Sequence, residues 1–184
     1  KILIVESDTP FEFPKHYQND DGQLLEHAPL CERDIILPEY CEPVDEKGDF
    51  RLYLKANGRA FDYTLEHHPY DVVGWDGHLY PFVFNIKEYA PKVGQLHLPP
   101  PIHLLFTTQH FILCNFCPRP FDFHPDAIHA PYFHSNVDSD EVIYYVEGDF
   151  MSRKGVKEGS VTLHPMGIPH GPQPGKIEES IGKK

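Results

Sequence analysis

The sequence predicts an all-β fold: a sandwich, barrel or jelly roll of short strands. Three observations carry that reading. Nineteen Pro and thirteen Gly in 184 residues leave little room for long helices. Beyond residue 50, short apolar runs with the strand period of two are separated by Gly and Pro turns. In "FRLYLKANGRAFDYTL", Asn57-Gly58 sits between two alternating runs, the strongest short-range hairpin signal.

Taken in order, "KILIVES" reads as a strand over residues 2–6. It has no lead-in, and the other end is "IEESIGKK", so the chain is expected to be a piece of a longer polypeptide. Residues 7–50 are Pro-rich and weakly periodic, a connecting segment with room for one short helix. Residues 1–50 are therefore expected to be the end of an upstream β domain plus a linker, and 51–184 a second domain. After the hairpin, "DVVGWDGHLYPFVFNI", "HLLFTT", "FILCNF", "DEVIYYVEGDFMSRKG" and "GSVTLHPMGIPHGP" carry the remaining strands. "NIKEYAPKV" is the best candidate for a helical turn. Phe82 and Phe84 share one face of their run; the simpler reading is core, the rival is a pocket lining.

Charge narrows the function classes. Twenty-eight acidic residues against sixteen basic give −12, and a field of that sign repels phosphate backbones and anionic lipid. Nucleic acid and membrane are thus not expected partners. No apolar run approaches the ~18–20 residues of a membrane span, and no signal peptide is visible. A reducing, cytoplasmic compartment is the expectation for the four Cys. Cys114 and Cys117 form a CxxC, which can be half a zinc site or a redox pair. It lies in an apolar run with no second such pair, so core packing is expected for both.

Thirteen His invite a search for metal ligands. His134 is followed by Asn136, then four residues and Glu141, then six residues and Gly148. Ten residues later come Gly159, five residues, Pro165, one residue, Gly167, two residues and His170. A barrel interior accepts every second residue of a strand, so ligands must come from strand ends or from one parity. His134 and Glu141 flank a turn entering a strand, and Pro165, Gly167 and Pro169 bend the chain just before His170. The two blocks resemble the paired motifs of cupins, small jelly-roll barrels with a metal in the mouth; Asn136 stands where many cupins have a second His. Two His and one carboxylate form the facial triad of non-haem Fe(II) oxygenases, although other metals accept the same ligands. Any one His is more often structural than a ligand, but two complete blocks in order are not. His67, His68 and His124, in aromatic and Pro-rich loops, are read as structural. "VDSDE" lacks the spacing of an EF-hand loop.

The segments "EHHPYDVVGWDGHLYPFVFNI", "APYFHSNVDSDE" and "GSVTLHPMGIPHGP", with "HAPLCERDIILPEY" in the linker, resemble the homogentisate 1,2-dioxygenase family over nearly the whole chain. The resemblance implies a cupin catalytic domain over 51–184, with Fe(II) held by His134, Glu141 and His170. It implies O2-dependent ring opening of homogentisate, or of a closely related dihydroxyphenyl acid, in tyrosine and phenylalanine catabolism. A homotrimer or dimer of trimers goes with it. His164 and Phe150 fall at pocket positions of the family, so both, with His170, are expected to contact substrate.

The chain departs from the family in three places. One extra residue lies between His134 and Glu141, which makes Asp140 a rival for the carboxylate; the distance from Glu141 to Gly148 favours Glu141. Trp75-Asp76-Gly77 stands where the family has Trp-His-Gly, so the acid/base role falls to Asp76, or to His78 two residues on. Phe150 replaces a tyrosine and removes a hydroxyl, a change that alters substrate discrimination. Two rival functions are a metal-dependent cupin isomerase or decarboxylase without oxygen chemistry, and a non-catalytic storage or ligand-binding cupin.

Overall fold

The computed structural model describes residues 1–39, 41–56, 58–71 and 81–183. Strands far outweigh helix among them, as an all-β chain requires. No helix of the described residues is long and apolar enough to cross a membrane. The chain divides into two compact units. The first comprises Leu3–Ala90 and Pro100–Cys117; the second comprises Lys1–Ile2, Pro91–Pro99 and Pro118–Lys184.

The first unit holds β1 (Ile35–Ile36), β2 (Lys47–Ala56), β3 (Arg59–His67), β4 (Val83–Phe84), β5 (Leu104–Thr107) and β6 (Ile112–Cys114). They pair two by two, all antiparallel: β1 with β4, β2 with β3 and β5 with β6. The Asn57-Gly58 signal does mark a hairpin, closing on the pair Ala56 and Arg59 with Gly58 at φ +69°. Such a left-handed turn residue suits glycine, which has no Cβ to clash. Leu52, Leu54, Phe61 and Tyr63 share one face, while the opposite face carries an Arg51–Asp62 ion pair and Arg51 over the Tyr53 ring at 5.3 Å.

The core of this unit is Leu30, Tyr89, Leu105 and Phe106, with Phe11, Phe13, Phe82, Phe84 and Cys117 packed against it. Phe82 and Phe84 meet the Phe106 ring edge-on at 5.3 and 6.3 Å, so both take the core role. None of the four Cys is in a disulfide; Cys114 ends β6 and Cys117 packs on the core. "NIKEYAPKV" supplies a 3-10 turn, Ile86–Glu88, capped by Asn85 Oδ1 accepting from the Lys87 amide at 3.2 Å. In the linker, two 3-10 turns, Lys15–Tyr17 and Glu32–Asp34, stand where one short helix was expected.

"KILIVES" forms no strand, contrary to its pattern. Ile2 and Ile4 are 88% and 81% exposed. Alternation alone does not make a strand, because a single extended segment leaves its amides to water until a partner edge pairs with them.

The second unit holds β7 (Glu141–Tyr144), β8 (Val161–His164) and a five-residue helix, α1 (Lys176–Ser180). Helix α1 had no clear sequence signal. It starts after Pro174-Gly175, and its Ser180 is wholly buried, donating to Ile177 O at 2.7 Å and accepting from the Ala130 amide at 3.2 Å. β7 and β8 pair antiparallel with Glu141 directly opposite His164, then Val142 opposite Leu163 and Ile143 opposite Thr162.

Candidate metal centre

Two cross-strand pairs build the site. Glu141 faces His164 at one end of the β7–β8 ladder. Beyond that end both segments loop and meet again at an isolated antiparallel bridge, His134 to His170. The arm 135–140 has six residues and the arm 165–169 has five, so the His134 side carries one residue more. Two cross-braces hold the unequal arms: the Gly167 amide donates to Asn136 O at 2.7 Å, and the Met166 amide donates to Asp140 Oδ1 at 2.8 Å. Asn136 closes its own turn, with Oδ1 accepting from the Asp138 amide at 3.1 Å and Nδ2 donating to Ser139 Oγ at 2.8 Å.

His134, Glu141 and His170 converge: one donor atom from each lies within 4.8 Å of the others. The electronics of these atoms suit a cation. His134 Nδ1 lies 3.0 Å from Tyr132 O, and His170 Nδ1 lies 3.0 Å from Ile168 O. A carbonyl only accepts, so each Nδ1 carries the proton and donates it, which leaves each neutral ring's Nε2 with a free lone pair. His170 Nε2 is buried with no hydrogen-bond partner and lies 3.4 Å from Glu141 Oε2. A cation placed between the Nε2 lone pair and the carboxylate oxygen would satisfy both. The residues present therefore fit a divalent ion held by two imidazoles and one carboxylate.

His164 joins this group from the outside. Its Nδ1 lies 2.5 Å from Glu141 Oε2, and its ring stacks on His170 with centroids 4.3 Å apart and planes 28° apart. On the far side its Nε2 lies 3.0 Å from Arg153 Nη2, and Arg153 Nη1 donates to Gly171 O. An open cleft of about 420 Å³ runs beside His164 and Arg153, with Lys154, Ser160, Thr162 and Gln173 also on its walls. That volume is in the ~300–1,000 Å³ range of small-molecule pockets.

Of the residues singled out from sequence, the structure brings together His134, Glu141, His170 and His164. Asp140, the rival carboxylate, serves as the acceptor for Met166 instead. Phe150 packs edge-on against Tyr145 at 5.3 Å, and the Tyr145 hydroxyl lies 3.2 Å from Thr162 Oγ1. Asp76 and His78 lie outside the described residues. His68 packs on Phe50 at 5.0 Å, and His124 Nδ1 accepts from the Asp126 amide at 3.1 Å, both structural uses. His67 pairs with Lys47 in the hairpin ladder.

Sequence reasoning missed Arg153 and Gly171. Arg153 lies near the end of "DEVIYYVEGDFMSRKG", a segment read only as carrying a strand. A Cβ on Gly171 would come within 2.4 Å of the Phe133 ring and 3.0 Å of Phe133 Cα. Glycine after His170 therefore lets the His134 and His170 segments approach, a requirement visible only once the two are paired.

No family model matches the chain. Over all of its 184 residues the chain is 41% identical to a protein of Saccharolobus solfataricus that is provisionally named a dioxygenase. The chain spans 47% of that relative's length.

Proposed function

We propose that the chain carries the metal centre of a ring-opening dioxygenase, in which one Fe(II) is held by His134, Glu141 and His170. The convergence of two Nδ1-anchored imidazoles and one carboxylate carries the reading. The dioxygenase name of the Saccharolobus relative supports the oxygen chemistry. The motif resemblance supports a cupin jelly roll over 51–184 and a homotrimer or dimer of trimers. His134, Glu141 and His170 would hold Fe(II), which would supply substrate coordination and O2 activation. The substrate class is a dihydroxyphenyl acid such as homogentisate, opened with both atoms of one O2 entering the product.

The chain's own residues fix the ligand rings and the carboxylate, and shield one side of the centre. Glu141 comes from the start of β7, and His134 and His170 from an isolated backbone bridge beyond the ladder, with the two connecting arms braced by the Gly167–Asn136 and Met166–Asp140 hydrogen bonds. His164 is 11% exposed in its side chain and holds Glu141. Substrate contact falls to His164, His170 and Phe150, and proton removal from the substrate hydroxyl to Asp76 or His78. The test is metal analysis with O2 uptake over a panel of dihydroxyphenyl acids. One iron per chain, one O2 per substrate and two labelled atoms from 18O2 are expected. Turnover under strict anaerobiosis would replace the reading with an isomerase or decarboxylase.

A further inference from the structure

We infer that Arg153 is the positioning residue that ties the two arms of the metal centre into one unit. This rests on the metal-centre reading above and assigns a role to a residue outside the ligand set. A guanidinium has only donors. Its contact to His164 Nε2 at 3.0 Å therefore makes that nitrogen an acceptor. The proton of the neutral ring then sits on Nδ1 and is donated to Glu141 Oε2 at 2.5 Å. The tautomer that presents a donor to the carboxylate ligand is thus set by Arg153 one ring away. The same guanidinium donates through Nη1 to Gly171 O, the peptide that follows His170.

One planar fork therefore spans both arms. Through His164 it orients Glu141, and through the Gly171 peptide it holds His170. The stacking of His164 on His170 closes the circuit. Arginine suits this because its donors diverge in a fixed plane, whereas a lysine ammonium is a compact point charge that cannot hold the same forked geometry. Outer-shell partners that orient ligands are typically worth ~10–100-fold in metal affinity.

The experiment titrates Co(II), whose visible absorption reports ligand geometry, into the wild-type chain and into Arg153→Met and Arg153→Lys. Expected are ~10–100-fold weaker binding and a shifted absorption band for Arg153→Met, partial recovery of both on adding guanidinium ion, and intermediate behaviour for Arg153→Lys. A residue that merely braced the fold would lower the melting temperature without moving the band, and guanidinium would not rescue it. Wild-type affinity and spectrum in Arg153→Met overturn the inference alone. Failure of the wild type to bind Co(II) or Fe(II) sinks the metal-centre reading and the inference with it. If Arg153→Met does not fold, Arg153→Lys decides: wild-type affinity and band there overturn the inference, and weakened binding with a shifted band supports it.

Discussion

His134 and His170 are tied to each other through their backbones, His134 N to His170 O at 2.9 Å and His170 N to His134 O at 2.8 Å. Each ring is in turn held by the carbonyl two residues before it. The backbone bridge does not need the imidazoles, so the side chains are free to serve a ligand while the main chain holds the register.

This separation gives the first prediction. His134→Ala, Glu141→Ala and His170→Ala should each lose at least about 100-fold in Fe(II) affinity, beyond the ~10–100-fold of an outer-shell change, while circular dichroism stays native. Asp140→Ala should keep the metal and lose one exposed hydrogen bond to Met166, costing about 1 kcal/mol or less. Iron retained by Glu141→Ala and lost by Asp140→Ala would show that the carboxylate assignment is wrong.

The legible parts of the chain were those in which local chemistry and final pairing agree. Asn57-Gly58 announced the β2–β3 hairpin because the turn residues fix the register on their own. His134, Glu141 and His170 stood out because the residues lie in two short local blocks of fixed spacing, and the chain brings those blocks side by side at two points, the β7–β8 ladder and the His134–His170 bridge. "KILIVES" misled because its alternation is real but no strand among the described residues pairs with it. Arg153 and Gly171 could not be read, since each acts across 11 to 38 positions, on His164 and Phe133 respectively. No local pattern encodes such a contact. Helix α1 was missed for a related reason: five residues are below the length at which periodicity speaks, and burial of Ser180 against Ala130 supports it instead.

Gly171→Ala tests the close approach directly. The added methyl would meet a Phe133 ring carbon at 2.4 Å, and the Phe133 backbone at 3.0 Å limits relief by ring rotation. Overpacking of this kind typically costs ~1–3 kcal/mol, or roughly 2–12 °C in melting temperature for a chain of this size. Metal affinity should fall as well, because His170 is the neighbouring residue. A melting temperature and Co(II) affinity equal to wild type would mean that the two segments have slack.

The acid/base role is tested at Asp76 and His78. A positioned general base is typically worth ~10²–10⁴-fold. Asp76→Asn and His78→Gln should divide cleanly: the residue that takes the proton loses that factor in kcat while iron content stays at one per chain. If both variants turn over at near wild-type rates with iron bound, proton removal belongs to neither side chain. If only His78→Gln is inactive, the role sits two residues further along than the Trp75-Asp76-Gly77 comparison suggests.

Tyr89 should set an alkaline limit to stability. It is 3% exposed, and its hydroxyl donates to Ile102 O at 2.5 Å and lies 3.2 Å from Leu104 O. Burial pushes its pKa well above the ordinary value of 10, and the neighbouring Tyr17, Cys117 and Cys114 push it further the same way. Burial raises Tyr17 as well. Below about pH 10 both folded and unfolded chains keep the Tyr89 proton, so its contribution is fully present and flat. Above it the unfolded chain releases the proton while the folded one retains it. The unfolded state then binds fewer protons, and stability falls with a slope approaching about 1.4 kcal/mol per pH unit from this group. Urea midpoints at pH 8, 10 and 11 measure that slope. Tyr89→Phe should be less stable at pH 8, by about 1–2 kcal/mol for the lost hydroxyl contacts, but should show a shallower decline above pH 10. A decline as steep as in the wild type would assign the alkaline limb to groups other than Tyr89.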